Sequence, residues 1–128
     1  MNQKIKHRII KFRTWSPKEK EFCSIFVNWT SQTGETYGID GCVNEYYTSQ
    51  GYVFQQFTGL TDSKNKEIYE GDYIKLLTCD EIATVIWNNK IAGFEAQINK
   101  IAKILPSHFC KCEIIGNNME NPKLLKNK

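Results

Sequence analysis

Three acidic residues near the middle of this 128-residue chain are the first side chains whose type and spacing could support chemistry. They are Glu67, Glu70 and Asp72, with Tyr69 among them. Paired carboxylates can act as general acid and general base where their surroundings separate their pKa values. Nothing nearby indicates such a separation, because the run leads through a Gly-Asp step that is typical of a turn before a strand. We therefore predict that Asp72 caps a turn and that Glu67 and Glu70 are solvated.

A second group carries atoms that can bind a metal. His108, Cys110 and Cys112 follow the pattern His-x-Cys-x-Cys. In a strand, alternate side chains share one face at a spacing of about 7 Å. Structural zinc sites more often use Cys-x2-Cys on a turn together with a second pair, which only Cys79 and His7 could supply. We expect buried, unreactive thiols and neither a metal nor a cofactor.

The opening of the chain is basic. Its cations are Lys4, Lys6, Arg8, Lys11 and Arg13, interleaved with Ile5, Phe12 and Trp15 and accompanied by His7. Such a strand could lay cations along a phosphate backbone and offer an aromatic ring for stacking. We favour the alternative, a solvated outer face of a first strand with Phe12 in the core. The nucleic-acid hypothesis predicts contacts through Lys6, Arg8, Lys11 and Arg13, and salt-sensitive binding that a Lys11→Glu, Arg13→Glu variant loses.

Exposed aromatic residues could form a surface that binds a protein partner. Tyr46 and Tyr47 lie in a stretch rich in Ser, Gln and Gly, which is polar enough to indicate exposure. Exposed tyrosines are common in partner-binding surfaces because they provide a large contact area at a small cost in rotamer entropy. We predict that Tyr46 and Tyr47 contact a protein partner.

Composition narrows the class of protein. The hydrophobic share of 41% and the charged share of 24% are ordinary for a globular domain, and no apolar run approaches the ~20 residues of a membrane span. Five cysteines without a secretion signal indicate reduced thiols. The net charge of +3 does not demand a polyanionic partner. We expect a protein of the bacterial cytoplasm that does not enter the membrane.

Strand-like runs and polar turns alternate along the chain and predict an antiparallel β protein. The predicted strands are 9–15, 22–27, 52–57, 73–78, 82–87 and 109–115. Segment 93–105 is ambiguous, because its first half alternates as a strand does whereas Ile98, Ile101 and Leu105 fall at helical spacing. We predict a strand to Ile98 and then a short helix that ends at Pro106.

Three blocks of the chain resemble the YopX family of phage and prophage proteins. They are Ile10-Lys11-Phe12-Arg13-Thr14-Trp15, the stretch Gln56 to Ile74, and Glu113-Ile114-Ile115-Gly116-Asn117 followed by Glu120-Asn121-Pro122 and Leu124-Leu125. Their order and spacing match the family over nearly the whole chain. Where the family usually has Asn-Gly in the turn of the middle block, this chain has Lys64-Asn65, and Asn tolerates the positive φ that such a turn needs.

The resemblance implies a small, mostly β protein from a phage or prophage, with no established family function and no catalytic residues to carry over. The step through Gly71 and Asp72 also resembles the opening of SH3-type barrels. We predict a small SH3-like, partly open barrel of antiparallel strands with an N-terminal hairpin and a short helix. One domain would comprise N-terminal strands and a loop-rich excursion (1–56), the barrel core (57–115) and a tail (116–128).

These features together predict a protein that acts by binding another macromolecule. We expect a non-enzymatic accessory protein that binds a host or phage protein and self-associates through exposed strand edges. Nucleic-acid binding through the basic first strand is the alternative. An enzyme, the third class, would need a concave pocket with converging titratable groups.

Overall fold

The computed structural model describes residues 9–23 and 49–125 together with the backbone of residues 29–30 and 36–37. Contacts within the chain divide it into two units, Met1–Gly59 and Leu60–Lys128. Across the described residues, no helix is both long enough and apolar enough to cross a membrane. Four of the predicted contact residues lie outside the described residues: Lys6, Arg8, Tyr46 and Tyr47.

The first unit begins with the predicted antiparallel hairpin, formed by β1 (Phe12–Ser16) and β2 (Glu21–Cys23). Ser16 organises the turn between the two strands. Its carbonyl accepts the N–H of Lys20 at 2.8 Å and its hydroxyl accepts the N–H of Glu19 at 3.3 Å. A local hydrogen-bonded turn of this kind fixes the register of the hairpin.

Two further pairings belong to this unit. The two-residue strands β3 (Trp29–Thr30) and β4 (Thr36–Tyr37) pair with each other. A longer strand, β5 (Val53–Thr61), begins in this unit and ends two residues beyond it. Its first part pairs antiparallel with β1 and places Gln55 opposite Arg13. β1 therefore lies between β2 and β5.

The second unit contains a five-stranded antiparallel sheet that folds back on itself. The strands of this unit are β6 (Glu67–Tyr69), β7 (Asp72–Leu76), β8 (Ala83–Asn88), β9 (Gly93–Gln97), β10 (Lys103–Ile104) and β11 (Cys112–Asn117). The order in the sheet is β10-β9-β8-β7-β11, so the last strand returns to pair with the first strand of the meander. The two end strands do not pair with each other, which leaves the barrel partly open. The predicted fold class, mostly β with a minor helix, is confirmed.

An apolar cluster fills the inside of this barrel. Its buried members are Ile68, Ile74, Ala83, Val85, Ala96, Ile104, Phe109 and Cys112. Residues two apart in a strand share a face, which is why Ala83 and Val85 point inward together from β8. Each large apolar side chain buried in this way contributes roughly 1.5–3 kcal/mol. The remaining outer surface consists of turns, strand edges and outward-facing side chains.

The helix of this unit lies later in the chain than the sequence predicts. Residues 98–102 form the turn between β9 and β10, because the N–H of Ile98 donates to the carbonyl of Ala102 at 2.9 Å. The Oδ1 atom of Asn99 accepts the N–H groups of Ile101 and Ala102, each at 2.8 Å. The helical spacing of apolar residues was misleading here, since an Asn side chain that accepts local N–H groups favours a turn.

Pro106 begins a helix rather than ending one. The 3-10 helix Pro106–Lys111 starts there. Proline suits a first helical position because its φ is already fixed near the helical value. The N–H at that position has no acceptor within the helix, so its absence costs no hydrogen bond. The closing strand therefore begins at Cys112, and the predicted start at Phe109 is wrong.

Two residues with positive φ shape the turns around β6. Asn65 has a φ of 63° in the turn before β6, and Gly71 has a φ of 90° in the turn before β7. The N–H of Asn65 donates to the carbonyl of Asp62 at 3.0 Å, and the N–H of Gly71 donates to the carbonyl of Val85 at 2.8 Å. Asn and Gly are the residue types that adopt this conformation most readily.

Candidate functional site

The β8–β9 hairpin ends in a surface that we call the hairpin tip, formed by Trp87, Lys90 and Ile91. Trp87 is 42% exposed and Ile91 is 57% exposed, although both are large apolar side chains. The Trp87 ring packs edge-on against Phe94, with ring centroids 5.1 Å apart and an interplanar angle of 77°. Its indole N–H donates to Oδ1 of Asn89 at 2.8 Å. Two contacts thus fix the orientation of this exposed tryptophan ring.

The turn at the hairpin tip is held by a side-chain network. Asn88 accepts the N–H of Lys90 with Oδ1 at 2.9 Å and donates from Nδ2 to Oε1 of the buried Glu95. The other oxygen of Glu95 lies 3.1 Å from the ammonium group of Lys103 on β10. The bond from Asn88 and the nearby Lys103 charge lower the pKa of Glu95, so this carboxylate stays charged at neutral pH. The network connects the hairpin tip to the edge strand β10.

The turn next to the hairpin tip contains a strained residue. Ala92 has a φ of 50°, a left-handed conformation that costs roughly 1–2 kcal/mol for a residue with a Cβ atom. The hydrogen bond from the N–H of Ile91 to the carbonyl of Asn88, at 3.3 Å, closes the same turn. Strain of this size persists where surrounding contacts determine the conformation, and it is frequent at binding sites.

Two members of the acidic group, Glu67 and Asp72, contact Tyr69 at the turn before β7. Asp72 is buried, and its Oδ2 atom accepts the N–H of Tyr69 at 2.7 Å across the turn at Gly71. Glu67 is exposed, and its Oε1 atom accepts the Tyr69 hydroxyl at 3.4 Å. These contacts give Asp72 a structural part in the turn, which is how the sequence was interpreted.

Asp62 is a buried carboxylate that the sequence analysis did not single out. Its Oδ1 accepts the N–H groups of Lys64 and Lys66 at 2.8 and 2.9 Å, and its Oδ2 accepts the N–H of Ile114 on β11 at 3.0 Å. Burial acts to raise the pKa of Asp62, but the three N–H groups prevail and lower it below 3.8. The position of an Asp before a polar turn was the available signal. The hydrogen bond that Asp62 accepts from Ile114, 52 residues later, could not be predicted from the sequence.

The His-x-Cys-x-Cys group is not arranged as a strand. His108 and Cys110 are exposed on the 3-10 helix, whereas Cys112 is buried at the start of β11. Burial, Cys110 and Asp62 raise the pKa of the Cys112 thiol to about 11, so it stays protonated and is a poor metal ligand or nucleophile. In the part of the chain that the structure describes, no three His, Cys, Asp or Glu side chains are grouped to hold a metal ion.

Two surface depressions lie on the second unit. One is lined by Glu120, Asn121, Pro122, Lys123 and Leu124, and the other by Glu81, Ile82, Ile98, Asn99 and Leu125. Neither lining brings a His or Cys next to a carboxylate. A His–carboxylate or Cys–His pair of the kind used in nucleophilic catalysis is therefore missing from these two described depressions.

The described cations of the basic strand lie over aromatic rings of the first unit. The Lys11 ammonium is 4.9 Å from the ring centroid of Phe57, and the Arg13 guanidinium is 4.5 Å from that of Phe22. Arg13 also donates from Nε to Oε1 of Gln55 at 2.8 Å. Trp15 packs edge-on against Phe22 at 5.0 Å, so one face of the hairpin carries an arginine and two aromatic rings.

The Gly116-Asn117 block binds the tail to β11. A Cβ atom at Gly116 would lie 2.6 Å from Oδ1 of Asn121, closer than atoms approach without a shift. That oxygen accepts the N–H of Asn117 at 3.2 Å, and the side chain of Asn117 accepts the N–H groups of Met119 and Glu120. Glycine at 116 leaves the space in which this turn forms.

Comparison with known proteins agrees with this architecture. The crystal structure of protein EF1440 from Enterococcus faecalis is similar to this chain, with a TM-score of 0.60 and 23% sequence identity over 93% of this chain and 99% of that one. A likeness at this identity shows the fold alone. Comparison with curated proteins gives no match. The family model described as YopX protein matches residues 11–126, so the chain belongs to the YopX family.

Proposed function

We propose that this chain is a non-enzymatic accessory protein that binds another protein through the hairpin tip. The observation that carries the proposal is Trp87, which is 42% exposed yet fixed by Phe94 and by its bond to Asn89. A rigid, exposed tryptophan delivers apolar contact area at a small entropic cost, which is why tryptophan is enriched among the residues that dominate binding energy. Origin from a phage or prophage, and action in the bacterial cytoplasm, are part of the proposal and rest on the sequence features described above.

The shape and charge of the hairpin tip support one kind of partner. A tight turn that projects Trp87 and Ile91 fits a cleft lined with apolar side chains. Lys90 adds an exposed cation at the same turn, while the nearby carboxylate of Glu95 is bonded to Asn88 and Lys103. The best complement is therefore a protein cleft with apolar walls and an acidic side chain at its rim.

The decisive variant is Trp87→Ala. Immobilised wild-type protein and the variant are incubated with nuclease-treated lysate of lysogenic host cells, and the protein retained by the wild type is purified. Calorimetry should then show that Trp87→Ala raises Kd at least about 30-fold, because truncation of a central anchor costs about 2 kcal/mol or more of binding free energy. Trp87→Phe, which keeps an aromatic ring, should bind with intermediate affinity.

Leu77→Ala is the matched control, since Leu77 is 57% exposed in a different turn of the same unit. It should bind as the wild type does. Thermal unfolding of each variant separates loss of contact from loss of fold. Equal retention of the same protein by wild type and Trp87→Ala would overturn the assignment of the tip, and retention of no nuclease-resistant protein would count against protein binding.

Nucleic-acid binding is the second candidate function. The face that carries Arg13, Phe22 and Trp15 supports it, because cations next to aromatic rings are what single-stranded nucleic acids bind. The first candidate has the stronger support, since Arg13 is already bonded to Gln55.

A salt titration tests this second candidate. If Lys11 and Arg13 contact phosphates, the logarithm of the binding constant for single-stranded oligothymidylate falls linearly with the logarithm of salt concentration. Lys11→Gln, Arg13→Gln should reduce the magnitude of that slope by about 1.4, since each phosphate contact to a single strand contributes about 0.7. The double variant Lys100→Gln, Lys123→Gln is the control. It removes the same amount of charge at another place on the protein and should leave the slope unchanged. Equal slopes for both double variants, or no binding by the wild type, would exclude this candidate.

A further inference from the structure

The edge strand β10 presents apolar side chains to solvent. Ile101, just before the strand, is 92% exposed, and Leu105, just after it, is 49% exposed. Between them lies Lys103, whose ammonium group is 3.1 Å from Glu95. Edge strands are usually protected by charge or by covering segments, and exposed apolar residues along an edge mark a place of association.

Within residues 9–23 and 49–125, no strand pairs with the side of β10 that faces away from β9. β10 pairs antiparallel with β9, with Lys103 opposite Gln97 and Ile104 opposite Ala96. The hydrogen bond from the N–H of Ile98 to the carbonyl of Ala102 identifies the bonded pairs of this ladder. Because bonded and non-bonded pairs alternate, Ile104 exchanges hydrogen bonds with Ala96, and the N–H and C=O of Lys103 point away from β9. Leu105 continues the extended conformation, with φ −78° and ψ 153°.

We propose that β10 pairs with β10 of a second copy of this chain, antiparallel and about a two-fold axis at Lys103. In that register the two Lys103 residues exchange two backbone hydrogen bonds. Ile101 and Leu105 stand two residues before and two residues after Lys103, so Ile101 of each chain lies opposite Leu105 of the other. A closed two-fold dimer requires such a self-complementary surface.

Charge supports a second copy as the occupant. Two bare lysines at the axis would repel each other, but each Lys103 is paired with the buried carboxylate of Glu95 in its own chain. The seam between the two copies is therefore close to neutral at its centre, with apolar residues on either side. An interface built on so short a strand is small, and we expect a weak, rapidly reversible dimer.

Sedimentation of the full chain over a range of protein concentrations tests the proposal. The wild type should show a monomer–dimer equilibrium. Ile101→Lys and Leu105→Glu, each alone, should raise the dimer Kd about tenfold, because each substitution acts on two symmetry-related cross-strand pairs. Combined in one chain, I101K and L105E place a lysine opposite a glutamate in both pairs, and dimerisation should recover.

Ile91→Lys is the control, because it adds the same charge at an apolar residue of another turn that is 57% exposed. It should leave the dimer Kd unchanged, and circular dichroism should show all variants folded. A wild type that stays monomeric at its highest soluble concentration would overturn the proposal. So would single variants that dimerise like the wild type, or a double variant that fails to recover, since recovery depends on the antiparallel register.

Discussion

Replacing Asp62 by alanine should lower the free energy of unfolding by about 3 kcal/mol, because it leaves three backbone N–H groups without their charged acceptor. These are the N–H groups of Lys64, Lys66 and Ile114, bonded at 2.8 to 3.0 Å. Water can replace the acceptor in the exposed turn at Lys64 and Lys66 more easily than at Ile114. Urea denaturation at pH 7 measures the loss. Ser63→Ala, a neighbour exposed in the same turn, should change the stability by less than about 0.5 kcal/mol.

Acid titration separates the contribution that the charge of Asp62 makes to stability from the contribution of its shape. The pKa of Asp62 is lowered in the folded protein, so its contribution to stability is present above its ordinary value of 3.8 and is lost as pH falls through the folded pKa. Asp62→Asn keeps the shape without the charge, and its stability should therefore fall less between pH 5 and pH 2 than that of the wild type. Glu95 and Glu113 also have lowered pKa values, so some acid dependence should persist. Identical acid profiles would show that Asp62 contributes no charge-dependent stability.

The residues that carry the family resemblance organise turns. In the middle block, Asn65 and Gly71 adopt positive φ, and Asp72 accepts an N–H across the turn at Gly71. In the last block, Gly116 leaves space for Asn121, which binds the backbone of Asn117. Such positions tolerate few residue types, so they leave a recognisable pattern in the sequence. They also explain why that pattern identifies a fold.

The predicted strands were right in type because their signal is local. Alternating β-branched and aromatic residues bounded by polar turns predicted β7 and β8, with ends displaced by one or two residues. They also predicted the N-terminal hairpin, whose first strand starts three residues later than predicted. The prediction of a helix after β9 was wrong, because the spacing of the apolar residues in this segment, taken alone, fits a helix. The hydrogen bonds that Asn99 accepts from Ile101 and Ala102 within the turn, and the pairing of β10 with β9, decide the structure there.

The candidate surfaces could not be predicted, since exposure depends on how the whole sheet curls. Trp87 and Phe94 lie in different strands, and only the β8–β9 register brings them together at the end of the barrel. Val85, two residues before Trp87 on the same strand, is buried in the core. Along one strand face, the sequence gives no sign of where the core ends and solvent begins.

The 3-10 helix supplies the side chain with the largest expected effect on stability. Phe109 is fully buried in the barrel core, although its neighbours on the helix, His108 and Cys110, are exposed. Phe109→Ala should lower the free energy of unfolding by about 3–5 kcal/mol, through lost burial and the cavity that the ring leaves. That change should reduce Tm by roughly 10 °C or more in a chain of this length.

His108→Ala is the matched control for Phe109→Ala, because it truncates an aromatic ring one position away on the exposed side of the same helix. It should change the free energy of unfolding by less than about 0.5 kcal/mol. Phe109→Leu refills most of the space and should recover much of the loss. A Phe109→Ala variant as stable as His108→Ala would show that this ring does not fill the barrel.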